Sequence, residues 1–167
     1  MLVRTIIHEY KGSKKYMGII HYFIESSFRV NCLVAEMFKT KVVFKKKYIR
    51  KILNVKYGCT ISPSCIFGKN VEIVHHFGTL IGNGVIIGNN CRIYQQVTLG
   101  QNKNKFPTIG NNVIIYAGAK IIGGINIGNN VIIGANAVVT KDVPDNAIVA
   151  GIPARVIRYR GDEDEFY

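Results

Sequence analysis

Two adjacent imidazoles, His75 and His76, are the side chains of this sequence best suited to chemistry near neutral pH. An ordinary imidazole titrates close to pH 6.5, so its neutral form can take a proton from a hydroxyl and return it within one cycle. The pair stands in Val74-His75-His76-Phe77-Gly78, which interrupts an otherwise regular pattern, and it is the leading candidate for a reaction centre. The other two histidines, His8 and His21, lie where the spacing is helical and read as surface or packing residues. Cys32, Cys59, Cys65 and Cys91 contain no CxxC pair, so neither a zinc site nor a disulfide framework has a basis in their spacing.

The elements that must position the histidines follow from a repeat of period six. Large apolar residues recur as Ile61, Phe67, Ile73, then Ile81, Ile87, Ile93, Leu99, then Ile109, Ile115, Ile121, Ile127, Ile133 and Val139. Glycine follows directly at Gly68, Gly82, Gly88, Gly100, Gly110, Gly128 and Gly134. Four residues after each large position comes a second column of small or β-branched side chains, among them Cys65, Val85, Cys91, Val97, Val113, Ala119, Val131 and Ala137. Six is neither the 3.6 of a helix nor the 2 of an alternating strand, and it fits a parallel β-helix whose triangular coil has three six-residue sides. Asn83-Gly84, Asn89-Asn90, Asn111-Asn112 and Asn129-Asn130 supply the corners, where positive φ is needed. Cys65 and Cys91 then read as apolar filler of the small column, and Cys59 joins them if the ladder starts one rung earlier.

A regular solenoid has no cavity, and an extruded loop makes one. The sequence has two interruptions, the histidine stretch and 101–107 (Gln101-Asn102-Lys103-Asn104-Lys105-Phe106-Pro107), both expected in the same half of the stack.

With 167 residues, 48% hydrophobic and 19% charged, the chain reads as folded rather than disordered. It shows neither a membrane-spanning apolar run nor a secretory leader, which makes the cytoplasm the expected location. The net charge of +12 is uneven: residues 1–57 hold 13 basic and 3 acidic side chains, residues 58–167 hold 9 and 7. That concentration argues against a nucleic-acid-binding stripe along the repeat. Helical spacing in 1–57 (Phe23, Val30, Leu33, Val34, Met37, Phe38, then Val42, Val43, Phe44, Tyr48, Ile49, Ile52, Leu53) suggests a helical cap over the open end of the solenoid. The same basic amphipathic stretch is also compatible with peripheral contact at the inner face of an anionic membrane. Asp162-Glu163-Asp164-Glu165 reads as a solubilising acidic tail.

Residues 61–158 resemble the left-handed β-helix of the hexapeptide-repeat acyltransferases. The resemblance implies a mainly β fold with three parts: a helical segment over 1–57, a left-handed parallel β-helix over 58–158 and a tail over 159–167. Ile61-Ser62-Pro63, Ile73-Val74-His75-His76-Phe77-Gly78 and Gln95-Gln96-Val97-Thr98-Leu99-Gly100 are similar to the serine acetyltransferase branch. On that likeness His75, seven residues after Gly68, takes the place of the catalytic base, and His76 shapes the pocket beside it.

Four positions depart from that branch. Lys105-Phe106 stands where it has a basic residue and a second histidine, Val74 where it has an acid, and Thr60 where the histidine's acidic partner falls; Glu72 is a possible stand-in for that acid. The pattern resembles more closely the short acetyltransferases of polysaccharide gene clusters, such as the colanic acid type. The expectation is therefore an acetyl-CoA-dependent O-acetyltransferase acting on a saccharide hydroxyl, with serine as the alternative acceptor and an amino sugar as a third. His76, Gln95, Gln96, Lys105 and Phe106 would contact the acceptor, Phe106 offering its ring face to the sugar. Acetyl-CoA would run past Ala117, Gly118 and Ala135, with Thr140, Lys141 and Arg155 toward its phosphates and Pro153 against the adenine. No metal is expected, because a carbonic-anhydrase-like site needs three imidazoles from adjacent coils and the repeat holds only the adjacent pair. A scaffolding subunit with a dead site is the remaining alternative. The family's habit of placing sites between subunits implies a homotrimer.

Overall fold

The computed structural model describes residues 25–161. His8, His21, Phe23 and the acidic run 162–165 lie outside the described residues.

The period of six becomes a three-sided prism of short parallel strands. Face A stacks β1 (Thr60–Ile61), β4 (Leu80–Ile81), β7 (Thr98–Gly100), β10 (Lys120–Ile122) and β13 (Val138–Val139). Face B stacks β2 (Ile66–Phe67), β5 (Ile86–Ile87), β8 (Thr108–Ile109) and β11 (Asn126–Ile127). Face C stacks β3 (Glu72–Ile73), β6 (Arg92–Ile93), β9 (Ile114–Ile115) and β12 (Ile132–Ile133), and is closed by β14 (Ala147–Gly151) and β15 (Ala154–Tyr159). β15 runs antiparallel to β14 and so ends the solenoid with a hairpin.

Both sequence columns point inward. Ile61, Ile73, Ile81, Ile87, Ile93, Leu99, Ile109, Ile115, Ile121 and Ile133 are fully buried, and Val85, Cys91, Val97, Val113, Ala119, Val131 and Ala137 are buried beside them. Cys59 and Cys65 are free, buried thiols whose pKa desolvation pushes up to about 12, so they fill space and stay protonated. The glycine column has a steric cause on face B: a Cβ on Gly88 would lie 2.6 Å from the Gly110 carbonyl oxygen, and one on Gly110 the same distance from that of Gly128. At the B-to-C corner Asn70, Asn90, Asn112, Asn130 and Asn146 all take positive φ and hand a side-chain hydrogen bond from coil to coil.

Two helices, α1 (Ser26–Lys39) and α2 (Val43–Tyr57), close the first coil. Val30, Val34, Met37, Ile49, Leu53 and Tyr57 join the same apolar core as Cys59, Ile61 and Ile73, and Phe38 stacks on Phe67 at 4.8 Å. The helical segment is thus a cap on the open end. α2 stops at Gly58, whose left-handed conformation (φ 58°) returns the chain into β1.

Candidate active site

Face C turns into face A once per coil, and the backbone bonds there show what the first interruption is. Val74 donates to the carbonyl beside Tyr94, Tyr94 to the one beside Tyr116, Gln96 to Phe77, Gly118 to Gln95 and Asn136 to Ala117. Val74 is therefore level with Tyr94, and Phe77 with Gln95. The two residues left over, pushed out of the coil, are His75 and His76.

The two rings have different surroundings. His75 is exposed, with its ring edge-on to Tyr94 at 6.1 Å; Tyr94 in turn lies 5.2 Å from Tyr116 one coil on. His76 is half-buried beneath the helical cap. Its Nδ1 stands 3.3 Å from Ser27 Oγ of α1, and its ring meets Tyr57 of α2 edge-on at 5.6 Å. Desolvation first, then the positive charge of Arg29 and the neighbouring His75, holds the His76 imidazole below its ordinary pKa, which keeps it neutral near pH 7. Neither histidine has a carboxylate at the position a catalytic dyad would use. Thr60 accepts from Asn54 Nδ2, and Glu72 points outward to Arg92 Nε at 3.3 Å, so the stand-in acid is engaged elsewhere.

Beside the pair, Gln95 Oε1 is a buried acceptor with no hydrogen-bond partner among the described residues. Gln96 is exposed with φ 59°, and its carbonyl and that of Gly118 accept from Lys120 Nζ at 2.6 and 2.9 Å. Farther along the same corner the side chains shrink to Ala117, Gly118, Gly134 and Ala135, and register with β14 sets Ala150 and Gly151 above them. This line of small residues leads from the histidines to the turn that carries Pro153 and on to Arg155, both exposed. Such a surface lets an extended thiol-bearing arm lie close to backbone amides and carbonyls. Among the described residues no three potential metal ligands converge.

The second interruption sits elsewhere. It follows β7, at the A-to-B corner, across the width of face A from the histidines. Asn102 and Lys105 exchange two backbone hydrogen bonds of 3.0 Å around Lys103 and Asn104, both at positive φ, which makes a tight hairpin. The half-buried Phe106 ring is seated over Gly82 and Gly84 and packs on the core, which anchors the loop. Thr140 and Lys141 also fall at the A-to-B corner, after β13. One chain thus gathers His75, His76, Gln95, Gln96, Ala117, Gly118, Ala135, Pro153 and Arg155 along one side, and leaves Lys105, Phe106, Thr140 and Lys141 on another.

Comparison with known proteins matches residues 106–141 to the bacterial transferase hexapeptide (six repeats). The matched stretch lies within the coil and covers part of it. Its relatives include the serine acetyltransferase of Synechococcus elongatus, 47% identical over 62% of this chain and 44% of the relative, and that of Staphylococcus xylosus, 39% identical over 75% and 60%. The chain therefore spans about half the length of the relatives it matches. Among solved structures, a serine acetyltransferase in complex with CoA superposes with a TM-score of 0.75 at 28% identity, over 93% of this chain and 66% of that one. The enzyme from Brucella abortus gives 0.77 at 28% identity, over 95% and 68%. These findings overturn the expected saccharide acceptor, since sequence relatives and structural neighbours alike are serine acetyltransferases.

Proposed function

We propose that this protein is an acetyl-CoA-dependent serine O-acetyltransferase. The observation that carries the reading is the two-residue insertion, which extrudes His75-His76 at the foot of a line of small residues in a chain homologous to serine acetyltransferases. A neutral imidazole removes the proton of the serine hydroxyl as that oxygen attacks the thioester carbonyl. A backbone N–H stabilises the oxyanion, the C–S bond breaks, and the imidazolium returns the proton to the departing thiolate. The products are O-acetylserine and CoA, with no covalent enzyme intermediate.

The spacing from Gly68 gives the base role to His75, whose exposed ring is open to an acceptor and to a neighbouring copy. Half-buried His76, with Nδ1 beside Ser27 Oγ, shapes the pocket next to it. The unpartnered Gln95 Oε1 suits the ammonium of serine, and Lys105 supplies a charge for its carboxylate. Because Lys105 lies at another corner, the complete site is formed between copies, which favours a closed trimer. The arm of acetyl-CoA follows Ala117, Gly118 and Ala135 toward Pro153 and Arg155, with Thr140 and Lys141 contributed from a neighbouring copy. On the exterior of α2, Phe44, Tyr48 and Val55 stand exposed among Lys47, Arg50 and Lys51, a face suited to an anionic membrane surface. A thiol-release assay with acetyl-CoA tests the activity: release should be saturable in L-serine and yield O-acetylserine. No serine-dependent release by the intact oligomer would overturn the reading.

A further inference from the structure

On face A the outward residues of successive coils run Thr60, Leu80, Thr98, Lys120 and Val138. Lys120 is the one member of that row with a charge, and among the described residues no carboxylate pairs with it. Its ammonium turns to the C-to-A corner instead. It donates to the Gln96 carbonyl at 2.6 Å and to the Gly118 carbonyl at 2.9 Å. Both carbonyls belong to left-handed corner residues, at φ 59° and 75°, on two successive coils. An ammonium has three N–H donors, so one is left over. The corner thus holds the head of a half-buried lysine between the histidines and the start of the small-residue line at Ala117 and Gly118.

We propose that the third N–H of Lys120 binds the acetyl-CoA arm, donating to the amide carbonyl nearest the sulfur. The inference deepens the acetyltransferase reading and rests on it. Spacing supports the contact. Strands of neighbouring coils lie about 4.8 Å apart, and His75, Gln95-Gln96 and Ala117-Gly118 occupy successive coils. With the thioester carbonyl at His75, the sulfur stands near the level of Gln96. Two methylenes and a nitrogen further, about 5 Å along an extended arm, comes the first amide carbonyl. That distance is one coil, and it brings the oxygen level with the ammonium held between Gln96 and Gly118. An ammonium taken from water needs oxygen atoms around it; the corner supplies two and the arm supplies the third. The contact is the same with acetyl-CoA and with product CoA, so it serves binding of the arm rather than the chemical step.

Lys120→Met, which keeps the length of the side chain and removes its donors, and Lys120→Gln test this in the intact oligomer. The probes are CoA, pantetheine and adenosine 3′,5′-bisphosphate, with calorimetric Kd as the readout. Loss of one charge-assisted hydrogen bond should weaken CoA about 10- to 100-fold in Lys120→Met and pantetheine by the same factor, with the bisphosphate changed less than about 2-fold. Lys120→Gln, a neutral donor, should fall between. A ¹³C label on the amide carbonyl nearest the sulfur gives a readout that a purely structural role would not move: its infrared band should stand lower in the unmodified protein than in Lys120→Met. Equal CoA affinity in Lys120→Met would overturn the proposal, as would a loss confined to the bisphosphate, which assigns the ammonium to a phosphate. An unmoved band with a lowered melting temperature would overturn it too, since that marks a role in the corner alone. Failure of the unmodified protein to bind CoA would remove the acetyltransferase reading and the proposal with it.

Discussion

At the level of single residues, the two histidines differ by what surrounds them, and that difference can be read in kinetics. Replacing His75 by Ala should reduce turnover about 10² to 10⁴-fold, the usual contribution of a general base, with the fold intact. His76→Ala should cost less and act mainly on KM for the acceptor. The opposite order in steady-state kinetics would give the base role to His76. The titration of His76 supplies a second check. Its pKa is lowered, first by desolvation and then by Arg29 and His75, so in NMR it should titrate below the ordinary imidazole value of about 6.5. Arg29→Gln removes one positive neighbour and should move that titration upward; a downward move would contradict the electrostatic account. The same depressed pKa makes His76 a small source of acid lability, because the unfolded chain takes up a proton near pH 6.5 that the folded chain resists. The pair was legible in the sequence through its spacing. The contacts of His76 with Ser27 and Tyr57 were not, because they arise from how the helical cap docks.

At the scale of elements, the coil was legible because every turn buries the same two columns, so the period survives in the sequence with few exceptions. The placement of the interruptions was legible too, though it needed counting by coil: the histidines follow the third hexad of the first coil, whereas 101–107 follows the first hexad of the third. Docking of α1 was not, since a single serine on a helix carries no periodic signal. The glycine column gives a direct test. Gly88→Ala would force a methyl against the Gly110 carbonyl, which is backbone and repeated in every coil, and should destabilise by about 1 to 3 kcal/mol. Ile87→Val on the preceding residue, which removes one buried methyl group, should cost about 0.5 to 1.5 kcal/mol. Thermal unfolding of both variants would check the order. The exposed face of α2 belongs to this scale as well. Co-sedimentation with vesicles containing anionic lipid should fall when Lys47, Arg50 and Lys51 are changed to Gln, and an unchanged bound fraction would leave α2 a cap alone.

In the whole molecule, the separation of the two interruptions becomes an argument about assembly. The histidine corner and the hairpin corner flank face A of one prism, and neither can fold across it: His76 is tied to the helical cap and the hairpin is anchored by Phe106 over Gly82 and Gly84. A cyclic trimer can bring the hairpin of one copy to the histidines of the next, which makes three equivalent sites. The consequence is complementation. His75→Ala and Lys105→Gln should each impair every site of a uniform trimer. When the two are unfolded together in equal amounts and reassembled, a site is restored only where its histidine comes from the Lys105→Gln chain and its hairpin from the His75→Ala chain. Each choice is made half the time, so about a quarter of the sites should be intact and serine-dependent thiol release should return to about a quarter of the unmodified rate. Activity that never exceeds the mean of the two variants would place both groups in one chain's own site, and sedimentation showing an active monomer would do the same.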